Sequence, residues 1–330
     1  MAVTMATSDD VYGRPGPARS LDAVDLAVID LLLEDARLPL SAIAERLGIA
    51  PLTARQRLDR LRSSGAVRIV GLVDPAVLGR PVVAFVVVGV NADPYEVAHA
   101  LAELEEVQWL AVAADLRTLL LQASLPSHAS LLDLLDERIR TLAGVESVTT
   151  DLGLRSYATA LRFGRDLSAD RADEPHVPWL AGQGTRAVDA IDRAMLVALQ
   201  RDGRLTFAHL GREVGLSVPA TRQRYLRLVD DGLLRIQCRP HPASLGLDVG
   251  ATLRIEVRHS AQALAGRVGA LPDAAWVTET TGASNVCAEL VCRDLGALAA
   301  TVAAIESMPE VRRVEVAVHQ AVVKSTARWS

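Results

Sequence analysis

Hydrophobic positions change period twice along the chain. From Leu21 to about Ser64, Leu26, Ile29, Leu33, Ile43 and Leu47 recur at three- and four-residue spacing, the signature of amphipathic helices. Asp22 with Asp25 three residues on reads as a helix start. Ser41 is the expected N-cap of a short second helix that ends at Gly48. A third helix is expected from Pro51 to Gly65. Residues 67–73 then alternate as a strand. From about residue 81 the period becomes that of strands mixed with helices. Strands are expected at 81–90, 107–113, 118–125 and 145–154, and helices at 94–104 and 127–142.

The same order returns 167 residues later. Leu21-Asp22-Ala23-Val24-Asp25 recurs as Val188-Asp189-Ala190-Ile191-Asp192, and Ala54-Arg55-Gln56-Arg57-Leu58 as Thr221-Arg222-Gln223-Arg224-Tyr225. Gly48, Gly65 and Trp109 return as Gly215, Gly232 and Trp276. One long offset marks a duplicated unit, since solenoid periods run only to about 50 residues. Thr206 is the expected N-cap in the second copy. The later elements are strands at 249–258, 274–280, 285–292 and 310–318, with helices at 260–270 and 294–307.

Three short helices with a Gly turn before the third, followed by a β-like stretch at 67–73 or 234–238, make a winged helix-turn-helix. The β-α-β-β-α-β run that follows is the ferredoxin-like split unit. The fold class is therefore α+β, two tandem copies of a winged helix-turn-helix followed by a ferredoxin-like βαββαβ domain. Expected boundaries are a tail at 1–20, the first helix-turn-helix at 21–75 and the first ferredoxin-like domain at 80–163. A linker follows at 164–187, then the second pair of domains at 188–242 and 248–325. Each ferredoxin-like sheet has one helix-covered face; the other needs the sheet of the other half or another chain. The linker's 24 residues, rich in Asp, Arg, Pro and Gly, would span roughly 27 Å if flexible. That suits two modules on DNA turns about 34 Å apart.

Composition narrows the partners. The net charge is -5, so any DNA contact must rest on a local basic patch and not on bulk attraction. Cys238, Cys287 and Cys292 are too few for a disulfide framework and fit a reducing cytoplasm. Cys287 and Cys292 are five apart on a strand and so face opposite ways, which is not zinc-ligand spacing. No cofactor is implied. The longest apolar run, 82–90, is too short to cross a bilayer as a helix, and no membrane partner is expected.

The basic patch falls on the third helix of each copy. At 100° per residue, Ala54, Leu58 and Leu61 face inward, and Leu52, Thr53, Gln56 and Arg60 outward, flanked by Arg55 and Arg57. In the second copy Thr221, Tyr225 and Leu228 face inward. Pro219, Ala220, Gln223 and Arg227 face out, flanked by Arg222 and Arg224. Gln can read adenine and Arg can read guanine in the major groove. Gln56 and Gln223 are the expected base readers, with Thr53 and Ala220 in reach near the helix start. Arg55, Arg57, Arg222 and Arg224 are expected phosphate clamps, and Arg60 and Arg227 could take either role. A plain solvated face is the bland alternative. The position within a helix-turn-helix, repeated in both copies, favours double-stranded DNA.

Leu21-Asp22-x-x-Asp25, Ser41-x-Ile43-Ala44-Glu45-Arg46-Leu47-Gly48, Arg57-x-x-x-Leu61-x-x-x-Gly65, Asp74-Pro75 and Leu78-Gly79 together resemble the Lrp/AsnC (feast/famine) transcriptional regulators, once per half. The resemblance implies a DNA-binding winged helix-turn-helix and a RAM-type ferredoxin-like domain that assembles subunits and holds amino-acid-like effectors between them. It implies that the halves pair within the chain and read a pseudo-palindromic operator. It also implies a homo-oligomer, a dimer of chains or larger. In that family a Gly-Asp-x-Asp turn lines the effector site. The matching segments here are Ala114-Asp115-Leu116-Arg117 and Gly282-Ala283-Ser284-Asn285. Asp115, Arg117, Gly282, Ser284 and Asn285 are the effector candidates, yet neither turn keeps the carboxylate pair, and Asp115 is placed to pair with Arg117. Siroheme decarboxylases share the tandem architecture and are the enzymatic alternative. The seven histidines are scattered, and only His241 and His259 could meet through the fold. No catalytic residues are expected.

Overall fold

The computed structural model describes residues 21–157 and 188–326. The expected tail, the linker and the last residues of the first ferredoxin-like domain lie outside the described residues. The chain divides into two compact units, and the division runs across the duplication. One unit joins the two helix-turn-helix segments; the other joins the two ferredoxin-like segments.

In the head unit, α1 (Ala23–Glu34), α2 (Leu40–Leu47), α3 (Pro51–Ser63) and β1 (Val67–Val73) form the first copy. In the second copy, α6 (Ala190–Arg201), α7 (Phe207–Val214), α8 (Val218–Asp230) and β6 (Leu234–Pro240) repeat them. Asp22 caps α1 in a capping box: its carboxylate accepts from the Asp25 N–H, and its own N–H donates to the Asp25 carboxylate. Gly48 and Gly215 end α2 and α7 at φ +63° and +72°, the left-handed region that glycine enters without strain. Thr206 caps α7 as expected. Ser41 does not cap α2. That helix starts earlier, at Leu40, and its cap position is Pro39, the counterpart of Thr206, which has no side-chain acceptor.

The strands expected to be separate wings pair instead with each other. β1 and β6 run antiparallel in register from Val67 opposite Pro240 to Val73 opposite Leu234. Val70 lies opposite Gln237, its own counterpart at the 167-residue offset, so a pseudo-dyad passes through that pair. Each strand also enters the other head's core. Cys238 packs with Val28, Ile29, Ile43 and Leu58 of the first head. Val73 packs with Met195, Leu199 and Leu228 of the second.

A second tie crosses the same dyad. Arg37 donates to the carbonyls of Gly203 (2.7 Å) and Leu205 (3.0 Å). Its counterpart Arg204 donates to those of Ala36 and Leu38, both at 2.9 Å. The Arg37 guanidinium also lies 5.1 Å from the Phe207 ring centre and 4.8 Å from that of Tyr225, a cation–π arrangement.

The other unit is a closed eight-stranded barrel. The first half supplies β2 (Val82–Val90), β3 (Val107–Ala113), β4 (Thr118–Leu125) and β5 (Val145–Tyr157), with helices α4 (Pro94–Ala102) and α5 (His128–Asp133). A π-helical turn, Leu134–Ile139, extends α5. The second half supplies β7 (Val249–Val257), β8 (Ala274–Thr280), β9 (Val286–Cys292) and β10 (Val311–Ser325), with α9 (Ala261–Gly269) and α10 (Leu295–Glu306). The strand order is β10-β3-β4-β2-β5-β8-β9-β7. Within each half this is the ferredoxin-like order, and β5–β8 and β10–β3 are the seams between halves. The helix-covered faces bury one apolar core each. The opposite faces cover one another, through Phe85, Val83, Trp276 and Cys287 on one side and Trp109, Ala111, Leu120 and Ala317 on the other. The face that needed a partner therefore finds it within the chain. Cys287 points between the sheets and Cys292 toward the helices, as their spacing requires.

Candidate nucleic-acid interface and effector turns

The recognition helices keep their inward stripes: Ala54, Leu58 and Leu61 are buried on α3, and Thr221 and Leu228 on α8. Leu52, Arg55, Gln56 and Arg60 are exposed on α3, and Pro219, Arg222, Gln223 and Arg227 on α8. Thr53 and Ala220 are half-buried. Ser217 caps α8 by accepting from the Ala220 N–H, whereas Ala50 gives α3 no side-chain cap.

Two of the expected phosphate clamps have another job. Arg57 turns back to the start of α1, where it bonds Asp22 and, at 3.0 Å, Asp25. Arg224 does the same with Asp189 (2.7 Å) and Asp192 (2.8 Å). Asp25 and Asp192 are buried, and a buried carboxylate needs a compensating partner. These arginines tie the recognition helix to the first helix, so the guanidiniums of Arg57 and Arg224, expected as clamps, are engaged by carboxylates here. Arg60 also bonds the Asp25 carboxylate, whereas Arg227 has no ion pair among the described residues. The Arg57 hydrogen bond holds the Asp22 carboxyl down at about 2. Asp189 is lowered too, first by the Asp192 N–H and then by Arg224.

The signal for this tie was in the repeat. Both carboxylates and the arginine recur together at one offset, which marks groups that bond each other as readily as groups that bond a ligand. Arg37 and Arg204, which recur in the same way, escaped the sequence reading because their partners are backbone carbonyls, which carry no residue signature.

In the barrel, the first effector turn is closed upon itself. The Asp115 carboxylate accepts from the Arg117 N–H (2.9 Å), the Thr118 N–H (3.0 Å) and the Thr118 hydroxyl (2.7 Å). Burial pulls its pKa upward, but these bonds prevail and hold it below the usual carboxylate range. Its partner at Arg117 is thus the backbone and not the guanidinium. Leu116 sits at φ +55°, a strained position for a branched side chain. In the second turn Gly282 has φ +86°, and a Cβ there would lie 2.0 Å from the Asp151 carboxylate. The Asn285 side chain accepts from the Val257 N–H at 3.0 Å, and the Ser284 carbonyl accepts from Thr280 at 2.7 Å. Each turn spends its polar groups on its own geometry.

Between the sheets, a cavity is lined by Phe85, Trp109, Trp276 and Cys287 together with Asp151, Thr252 and Arg254. Arg254 bonds Asp151 at 3.1 Å. His319 bonds Thr252 at 2.8 Å, and burial lowers its pKa to about 4. His241 and His259, which could have met, belong to different compact units. Among the described residues, no group of His, Cys, Asp and Glu is arranged to hold a metal ion, and no helix is long and apolar enough to cross a membrane.

Comparison with known proteins matches every part of this architecture. Residues 21–68 match a winged helix-turn-helix DNA-binding model, and residues 188–229 an AsnC-type helix-turn-helix domain. The Lrp/AsnC ligand binding domain matches twice, at 83–161 and 250–329. The HTH-type transcriptional regulator FL11 of Pyrococcus abyssi is 31% identical over 140 residues, 42% of this chain and 92% of its own length. The leucine-responsive regulatory protein of Serratia marcescens is 26% identical over 145 residues, 42% of this chain and 88% of its own. Each such relative spans one copy of the duplication. The crystal structure of the siroheme decarboxylase NirDL shares the fold across both copies, with a TM-score of 0.61 and 14% identity, covering 93% of this chain and 94% of that one. The chain belongs to the Lrp/AsnC family and carries the family's unit twice.

Proposed function

We propose that the protein is a DNA-binding transcriptional regulator whose two helix-turn-helix heads read the two halves of one imperfect palindrome. The pairing of the heads carries this reading. The β1–β6 pairing and the Arg37/Arg204 clasp set two recognition helices about one dyad, as an operator with two half-sites demands. Gln56 and Gln223 are the base readers and Arg55, Arg222 and Arg227 the phosphate contacts. Thr53 and Ala220 meet the groove edge. Arg60 serves DNA only by leaving Asp25.

The heads are spaced by their own contacts and not by linker length. The half-sites should therefore sit about one helical turn apart, with little tolerance for change. Selection from a random duplex pool with the full chain should return a two-part site, and inserting about five base pairs, half a turn, between its halves should abolish tight binding. Equal binding to every sequence would sink the reading.

On this reading the chain works in the cytoplasm and is not an enzyme. Two histidines offer the enzymatic alternative little: His319 is buried, with its pKa pushed down to about 4, and His209 is paired with Glu213 at 3.0 Å. A tetrapyrrole absorbance band on the purified protein would reverse that choice. The effector turns offer no free carboxylate pair, so the common amino acids should not raise the melting temperature. A dimer of chains rests on family resemblance, because the sheet faces already cover each other; light scattering measures it.

A further inference from the structure

We propose that the second head is the electrostatic anchor on DNA and that the first reads sequence with little grip of its own. This rests on the regulator reading above. The first head has five arginines on α2 and α3, and every one is ion-paired. Arg46 meets Glu34 (3.2 Å), Arg55 meets Asp59 (3.7 Å) and Arg62 meets Asp202 (2.8 Å); Arg57 and Arg60 share Asp25. The second head has four on α7 and α8. Only Arg224 is ion-paired among the described residues; Arg212, Arg222 and Arg227 are exposed without a carboxylate.

The difference traces to single positions. Asp59, which engages Arg55, becomes Leu226 beside Arg222. Glu45 becomes Arg212. Arg60 joins Arg57 on Asp25, whereas Arg224 holds Asp192 and Asp189 and leaves Arg227 out. The carboxylates that remain on these helices do not cancel this. Glu213 is engaged by His209, and Asp230 is the last residue of α8 with Asp231 its cap, whereas the N-terminal part of a recognition helix meets the groove.

An unpaired arginine gains a phosphate outright and releases a counterion from the DNA. A paired one must first give up its carboxylate, so its net gain is small. Each full phosphate contact contributes about 0.9 to the slope of log affinity against log salt, or about threefold in affinity between roughly 50 and 200 mM.

The test is fluorescence anisotropy of the full chain on a labelled mixed-sequence duplex of about 40 base pairs, four turns, across a salt series. Arg222→Ala and Arg227→Ala should each lower the slope by about one, and Arg55→Ala by less than about half of that. Two swaps test the cause. Leu226→Asp should mimic Arg222→Ala, and Asp59→Leu, by freeing Arg55, should steepen the salt slope by up to about 0.9. All five positions are exposed, and circular dichroism confirms folding. If Arg55→Ala costs as much as Arg222→Ala, or if the swaps change nothing, the anchor assignment is overturned. If the unaltered chain binds no duplex at any salt, the regulator reading itself falls.

Discussion

In the head unit, Asp22, Asp25, Arg37 and Arg57 have Asp189, Asp192, Arg204 and Arg224 as counterparts, and the Arg57 and Arg37 ties are made again by Arg224 and Arg204. In the barrel, Phe85, Val87, Leu120 and Leu152 have Thr252, Arg254, Cys287 and His319 as counterparts. One set has held its chemistry and the other has not. The head ties are pairs in which losing one member strands the other, a buried carboxylate or a backbone carbonyl. Most of the barrel positions meet between the two sheets. There the copies press on each other, so only their combined shape and polarity must fit. An identical dimer would set each residue against its own image; a duplicated chain has no such restriction.

Substitutions can break that comparison at several strengths. Trp109 recurs as Trp276 yet is the more buried of the two. Trp109→Ala should cost about 3–5 kcal/mol in denaturant unfolding, and Trp276→Ala less. Arg224→Ala removes the arginine from the 1%-exposed Asp192 and should cost about 3 kcal/mol. Arg57→Ala should cost less, because Arg60 stays on Asp25. Equal losses would mean that Arg60 contributes nothing there.

Acid should separate the two units. His319 has its pKa lowered from 6.5 to about 4, so the unfolded chain takes up its proton first. The barrel therefore loses stability as pH falls from 6.5 toward about 4. The Asp22 carboxyl is lowered from 3.8 to about 2 by Arg57. Its support of the head is full above 3.8 and disappears as pH falls toward about 2. Calorimetry should see the barrel transition move first, and His319→Phe should remove that early shift. The smallest effect separates the two caps. Thr206→Ala should cost about 1 kcal/mol, whereas Ser41→Ala, lying inside α2, should change almost nothing.

Much of the fold was legible because helices, strands and glycine stops announce themselves locally. What failed was nonlocal. β10 runs on to Ser325 and β5 to Tyr157, beyond their expected ends, because the added lengths pair with or lie beside elements of the other copy. No period within one strand reports that. The partner of each wing strand went unread for the same reason, since β1 pairs with β6 of the other copy. On the recognition helices, rotation separated buried from exposed at most positions, with Thr53, Ala220 and Tyr225 half-buried between. It could not tell that Arg57 and Arg224, at the boundary, would turn inward, because that depends on carboxylates more than thirty residues away along the chain.

The clasp of Arg37 and Arg204 has a consequence for dosage. A regulator assembled from separate chains must first find its mate, so halving its supply can more than halve the paired form. Here the two heads are made on one ribosome and meet at an effective concentration set by the chain itself. Their pairing does not dissolve on dilution. Occupancy of a single two-part site should therefore follow the number of chains in simple proportion at low supply, and gene copy number would be transmitted to the promoter without a threshold.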